Sequence, residues 1–197
     1  MPGIRHCAHC GRSLRWYWHV LPPLLIVAAG LIVYSNSFSG VFLFDDAPHI
    51  VHNERIRHLW PLTELFSEHR PVLDLSLAIN YALGELDVWG YHAVNLAVHL
   101  LAGLTLYGVI RRSLSREGLK DRFSPASESL ASIAALIWVV HPLQTQSVTY
   151  VIQRSESLLG LFYLLTLYCL IRSVDSVHRH VWYATTVVCC ALGPDQA

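Results

Sequence analysis

Two adjacent carboxylates, Asp45 and Asp46, follow an apolar FLF tripeptide at the end of a long uncharged stretch. An acid at a bilayer edge is costly to desolvate, so such groups usually face a cavity or a partner. Neighbouring carboxylates also raise one another's proton affinity, which suits one of them to take a proton from an attacking hydroxyl. The competing reading is a helix cap, a position that Asp favours. Arg70, just before Pro71, is of the type suited to grip a phosphate. His92, Asn95 and His99 are spaced i, i+3, i+7 and so share one face of a helix. Such a stripe points either at a water-filled cavity or at hydrogen-bond partners on other helices, the latter being the expectation for His99, deepest in the lipid. His141-Pro142 closes an apolar run, and LQTQSVTYVIQR then leads to Arg154. Arg154 could contact an anion or pair locally with Glu156. Cys7 and Cys10 form half of a zinc knuckle, for which His6, His9 and His19 are the further ligands to hand, with no second CxxC. Cys169, Cys189 and Cys190 lie in apolar runs, where cysteine behaves as a small hydrophobe.

These side chains need a scaffold, and composition names its class. Of 197 residues, 53% are apolar and only 14% charged, about half the usual share, with mean hydropathy +0.40 and net charge zero. A neutral chain this apolar would self-associate unless lipid covered it. The absence of a basic excess argues against a nucleic-acid partner, and five scattered cysteines argue against a disulfide scaffold. The expected fold class is all-α, a polytopic membrane helix bundle.

Uncharged or nearly uncharged runs place the spans at about 20–38, 88–110, 127–141 and 156–172, with a partial fifth at 181–192. Pro22 and Pro23 are expected at the start of the first helix, where proline is tolerated. Late onset and the lack of an A-x-A-like site favour an anchor over a cleaved signal. The third and fourth runs are short and reach spanning length only by taking in Glu128 and Glu156. Residues 1–19 form an N-terminal tail. With the tail and the 111–128 and 172–180 loops on one side, that side carries ten Lys/Arg against four on the other. The positive-inside rule then puts the N-terminus in the cytoplasm and the acidic 36–87 loop outside. Within that loop, RPVLDLSLAINYAL carries the stripes Leu73/Leu77/Tyr81 and Leu75/Ile79/Leu83, which predict an amphipathic helix lying along the outer surface. The competing reading is a small exposed loop subdomain.

In order, FLFDDAPHIVHNERI, HRPVLDLSLAINYALGELDVWGYHAVNLAVHLL and WVVHPLQTQSVTYVIQRSESLLGLFYLLTLY resemble the membrane half of the transmembrane-and-tetratricopeptide-repeat proteins over residues 38–172. That family includes eukaryotic O-mannosyltransferases and bacterial repeat proteins of the GT-C glycosyltransferase architecture. The resemblance implies a GT-C-like membrane domain over 20–192 and transfer of a hexose, such as mannose, from a polyprenyl-phosphate sugar to a hydroxyl of a protein or glycan, away from the cytosol. It places the essential acidic motif on Asp45 and Asp46 without saying which is the base. Arg70, His141 and Arg154 match the family's RP, HP and QR positions, the arginines as phosphate contacts and His141 as a shaper of the cavity. His92 joins them as a substrate-side residue. A divalent metal is compatible with this but not required, and the cofactor is otherwise unknown. The closeness to bacterial repeat proteins favours a bacterial inner membrane over an endoplasmic reticulum.

Two departures bear on activity. Gln146 stands where many relatives have a Glu, and an amide cannot hold a proton. Family members also continue through more spans into repeats, whereas no 34-residue helical period is present here and residues 193–197 read as a truncated tail. The chain is therefore expected to be an inactive N-terminal fragment, or else a non-catalytic anchor for a repeat-based interaction scaffold.

Overall fold

The computed structural model describes residues 10–60 and 70–193, with side chains from residue 20 onward. Six helices carry the architecture: α1 Cys10–Val33, α2 Pro71–Gly84, α3 Val88–Leu114, α4 Ser127–Val140, α5 Arg154–Asp175 and α6 Arg179–Leu192. No strand occurs among the described residues, and four segments are long and apolar enough to cross a membrane: Val20–Ser39, Val88–Leu114, Lys120–Val140 and Val151–Asp175. The fold is thus an all-α membrane helix bundle. The short third and fourth runs reach length through flanking turns, Lys120–Ala126 ahead of α4 and Val151–Gln153 ahead of α5. Glu128 is accommodated because it accepts from Tyr107 Oη and pairs with Arg111 at 3.4 Å. The fifth run forms α6, whose 14 residues fall short of the roughly 20 a span requires.

The start of the chain differs from expectation. Helix α1 begins at Cys10, inside the segment read as a tail, so Pro22 and Pro23 lie well within it. Each removes one i→i−4 hydrogen bond, a loss that membrane helices tolerate better because neighbouring groups resatisfy the freed carbonyls. The cysteine knuckle lies outside the described residues, since neither Cys7 nor the Cys10 side chain is among them. Among the described residues, no three His, Cys, Asp or Glu are grouped as a metal site would need.

Helix α3 is the axis of the bundle, packing against α1, α2, α4 and α5. One apolar cluster joins it to α1 and α4 through Ile26, Leu96, Leu100, Ala131, Ala135 and Val139. A second joins it to α2 and α5 through Leu73, Leu77, Tyr91, Val98, Leu158 and Leu161. Lipid tails are as apolar as leucine, so close packing rather than water exclusion drives helix association here, and small residues sit at the crossings. Gly103 is such a point: a Cβ there would lie 2.3 Å from Val139 Cγ2.

The expected surface helix is α2. Its start is set by Pro71 at the first helical position after Arg70, and its end by Glu85, which adopts φ +51° and donates its N–H to Tyr81 O at 2.7 Å. Leu73 and Leu77 are buried against the bundle, while Ile79 and Leu83 are exposed. Of the two predicted stripes, the first docks on protein through Leu73 and Leu77, while the second is split, Leu75 packing on the core and Ile79 and Leu83 remaining exposed. Replacing Gly103 by Val should wedge α3 from α4, lowering stability by about 1–3 kcal/mol; thermal unfolding of the purified chain in detergent checks this, and an unchanged Tm would refute the close-packing account.

Candidate functional site

The site lies at the end of the bundle where the 34–52 loop, α2 and the 140–154 connection meet. The loop turns sharply at Leu43–Asp46. Asp46 N–H donates to Leu43 O at 2.9 Å, and Leu43 N–H returns the bond to Asp46 Oδ2 at 3.0 Å. Between them Phe44 is held at φ +44°, left-handed backbone that costs a non-glycine residue about 1–2 kcal/mol. The other carboxylate oxygen, Asp46 Oδ1, accepts from Ile152 N–H at 2.8 Å across the bundle. Asp46 is accordingly 1% exposed, with both oxygens committed to backbone. Asp45 is its opposite: its side chain is exposed, and its N–H donates to Tyr150 Oη at 3.1 Å. The paired acids therefore divide into one that fixes the turn and one whose carboxylate is presented at the surface.

The segment that receives Asp46 is itself pinned. Asn95 Nδ2 donates to the carbonyls of Tyr150 and Val151, both at 3.2 Å, and His92 Nδ1 meets Val148 O at 3.0 Å. The polar stripe on α3 therefore serves the irregular connection between α4 and α5. At membrane depth such backbone is tolerated only when its polar groups are satisfied within the protein. His99 does the same one level deeper, its Nε2 reaching Val139 O at 2.9 Å alongside Tyr34 Oη at 3.0 Å. That carbonyl is orphaned because Leu143 N–H turns back to His141 Nδ1 at 3.2 Å, in the turn that Pro142 starts.

Arg154 is fully buried at the N-terminus of α5. Its Nε donates to Asn95 Oδ1 at 2.7 Å, Nη1 to Asn80 Oδ1 at 2.8 Å and Ser76 Oγ at 3.1 Å, and Nη2 to Tyr91 O at 3.0 Å. The Tyr91 ring lies under the guanidinium at 5.8 Å. Of the two alternatives, phosphate contact or a pair with Glu156, the structure gives Arg154 neither partner: it is buried among these neutral oxygens, and Glu156 is exposed. His92, expected on the substrate side, is buried at 0% exposure. Its Nε2 has no partner and abuts Gly40, where a Cβ would come within 2.6 Å.

Arg70, half-buried at the start of α2, and exposed His141 are placed at the same end, but no hydrogen bond among the described residues ties either to Asp45. A cavity of about 330 Å³ lies beside the turn, lined by Asn36, Ser37, Ser39, Gly40, Leu43 and Thr149. Tyr150, Ser76 and Asn80 belong to the site and were not singled out from sequence. Only Asn80, a polar residue in an apolar helix, carried a signal.

This geometry can be set beside known proteins. The chain is 31% identical over 176 residues to protein O-mannosyl-transferase TMTC4 of Homo sapiens, covering 76% of the chain and 24% of that relative. It is 29% identical over 210 residues to a protein O-mannosyl-transferase of Caenorhabditis elegans, covering 99% and 28% respectively. Its homologues are protein O-mannosyl-transferases. A third O-mannosyl-transferase, TMTC2 of Mus musculus, is 29% identical over 192 residues, covering 86% of the chain and 21% of the relative. The chain thus spans 21–28% of the length of these O-mannosyl-transferases. All three are animal proteins and give the bacterial expectation no support. No protein-family profile matches the chain, and no solved structure does.

Replacing Arg154 by Met should leave Asn95, Asn80 and Ser76 without their donor, at about 1–3 kcal/mol for each unsatisfied group. The expected result is a large fall in Tm and faster hydrogen exchange over residues 148–153. Exchange unchanged in that segment would show that Arg154 does not organise it.

Proposed function

We propose that this chain is the membrane part of a protein O-mannosyl-transferase of GT-C type. It moves a hexose, mannose by analogy with its homologues, from a polyprenyl-phosphate sugar to a hydroxyl of a protein or glycan acceptor. The reading is carried by one asymmetry: Asp46 has both oxygens on backbone donors, whereas the Asp45 carboxylate beside it is exposed. Asp45 is the base. It takes the proton of the acceptor hydroxyl as that oxygen attacks the anomeric carbon. The bond from this carbon to the phosphate oxygen breaks, its electron pair leaves with the lipid phosphate, and configuration inverts. Asp46 positions the turn and does not exchange the proton.

Arg70, half-buried and with no side-chain hydrogen bond or ion pair among the described residues, supplies positive charge for the leaving phosphate. His141, exposed at the same end, is assigned to shaping the substrate cavity. His92 and Arg154 act at one remove, through the backbone that meets Asp46. A divalent metal is compatible with the donor phosphate, but these steps do not require one. The N-terminus lies in the cytoplasm and the Asp45 end on the extracytoplasmic face, as the ten-to-four bias of Lys/Arg supports.

A second reading is favoured by Gln146, an exposed amide that cannot carry a proton: a non-catalytic anchor for a repeat-based interaction scaffold. Membranes carrying the protein, given radiolabelled polyprenyl-phosphate mannose and a serine/threonine-rich peptide, separate the two. Asp45→Asn should reduce transfer about 10²–10⁴-fold while leaving Tm unchanged. Asp46→Asn should lower Tm and transfer together. Full transfer by Asp45→Asn would remove the catalytic assignment, and no turnover by the parent protein would leave the anchor.

A further inference from the structure

At the end of the bundle opposite Asp45, the last turn of α3, the loop after it and the end of α5 enclose a cavity of about 570 Å³. It is lined by Arg111, Arg112, Arg116 and Lys120, with Glu117 and Asp175 as the only acids. Two of the four cations are taken. Arg111 pairs with Glu128 at 3.4 Å, and Arg116 Nη2 donates to Asp175 Oδ1 at 3.0 Å and Ile171 O at 2.9 Å. Arg112 and Lys120 have no carboxylate partner among the described residues; Arg112 only lies over the Tyr168 ring at 5.4 Å. Solvated arginines at a helix C-terminus would account for the charge alone. They would not account for what adjoins it.

A second groove, about 400 Å³, shares Arg111 and Arg112 with the basic cavity, takes in Tyr168 and runs along the exposed Leu101 flank of α3. Its other walls are largely apolar, Pro23, Leu101, Leu104, Gly108 and Leu165, with Thr105 and Tyr107 as the polar exceptions; their hydroxyls donate to Leu101 O and Glu128. Tyr168 reaches into the flank because residue 108 is glycine, where a Cβ would meet the ring at 2.8 Å. A basic cavity with two cations lacking a carboxylate partner, joined through Arg112 to a largely apolar groove, matches one chemistry. We propose that this is a binding site for an anionic phospholipid, its phosphate head group held by Arg112 and Lys120 and an acyl chain lying in the groove over Leu101 and Leu104. A basic pocket between helices at the positively charged end of a bundle is suited to such a head group. The site stands apart from Asp45 and requires nothing of the transfer reaction.

The chain purified in mild detergent, titrated with phosphatidic acid or phosphatidylcholine and read by native mass spectrometry, tests this. Phosphatidic acid should be retained in preference to phosphatidylcholine. Arg112→Gln with Lys120→Gln should weaken it roughly 25-fold, about five-fold for each charge removed. Arg122→Gln, outside the cavity, should leave it unchanged. Leu101→Trp, at an exposed position, should obstruct the groove and weaken the lipid without altering binding of inorganic phosphate. Equal retention of the two lipids would overturn the proposal, as would indifference to the double variant. Phosphate binding with no effect of Leu101→Trp would assign the cavity to a soluble anion instead. Tm of each variant is compared with the parent, and if the double variant unfolds, exposed Lys120→Gln alone provides the reading.

Discussion

A guanidinium in a low-dielectric interior must be solvated by something, and here neutral oxygens do it. Arg154 has no carboxylate among its hydrogen-bond partners; two side-chain amides, one hydroxyl and one backbone carbonyl surround it. Stripping an ion of water costs several kcal/mol unless its hydrogen bonds are replaced with good geometry. Those replacements come from α2 and α3, so the charge can be buried only when three helices meet in one register. Asn95 then uses its amide nitrogen on Tyr150 and Val151, and the next residue, Ile152, holds Asp46. A line of contacts thus runs from one arginine to the turn that presents Asp45.

The connection between α4 and α5 explains why α3 carries so many polar residues. Three short helical elements, Pro142–Gln144, Thr145–Thr149 and Val151–Gln153, with breaks at His141 and Tyr150, leave the carbonyls of Val139, Val148, Tyr150 and Val151 facing the interior. Lipid offers such groups no hydrogen bonds. His92, Asn95 and His99, one face of α3, reach them in turn. The histidines are therefore bound by geometry to backbone acceptors, and the Trp138 ring stacked on His99 at 5.0 Å seals the deepest of them.

The two ends of the bundle differ in how charge is handled. At the Asp45 end, one acid, Asp46, is held by two backbone donors and its neighbour Asp45 is left exposed. At the other end, basic side chains crowd the helix C-termini, where the helix dipole favours them, and outnumber the acids that could neutralise them.

Much of this was legible in the residues. Uncharged runs gave the helices at 88–114 and 179–192 nearly to their ends, because hydrocarbon admits little else. The first span was placed at 20–38, where Val20–Ser39 is long and apolar enough to cross; only the helix start differs, because helicity extends back from the apolar part through the polar Cys10–His19 stretch. The i, i+3, i+7 stripe correctly marked a polar face, but its direction, towards protein rather than a cavity, is a property of the neighbouring backbone and not of its own spacing. Sequence also marked Asp45 and Asp46 as a pair and Arg154 as polar near the membrane edge. It treated the two acids alike, because adjacent identical letters carry no difference in burial. Only the tertiary structure separates them: a turn through left-handed Phe44 sends one carboxylate inward to Ile152 and the other out, and no local rule fixes which.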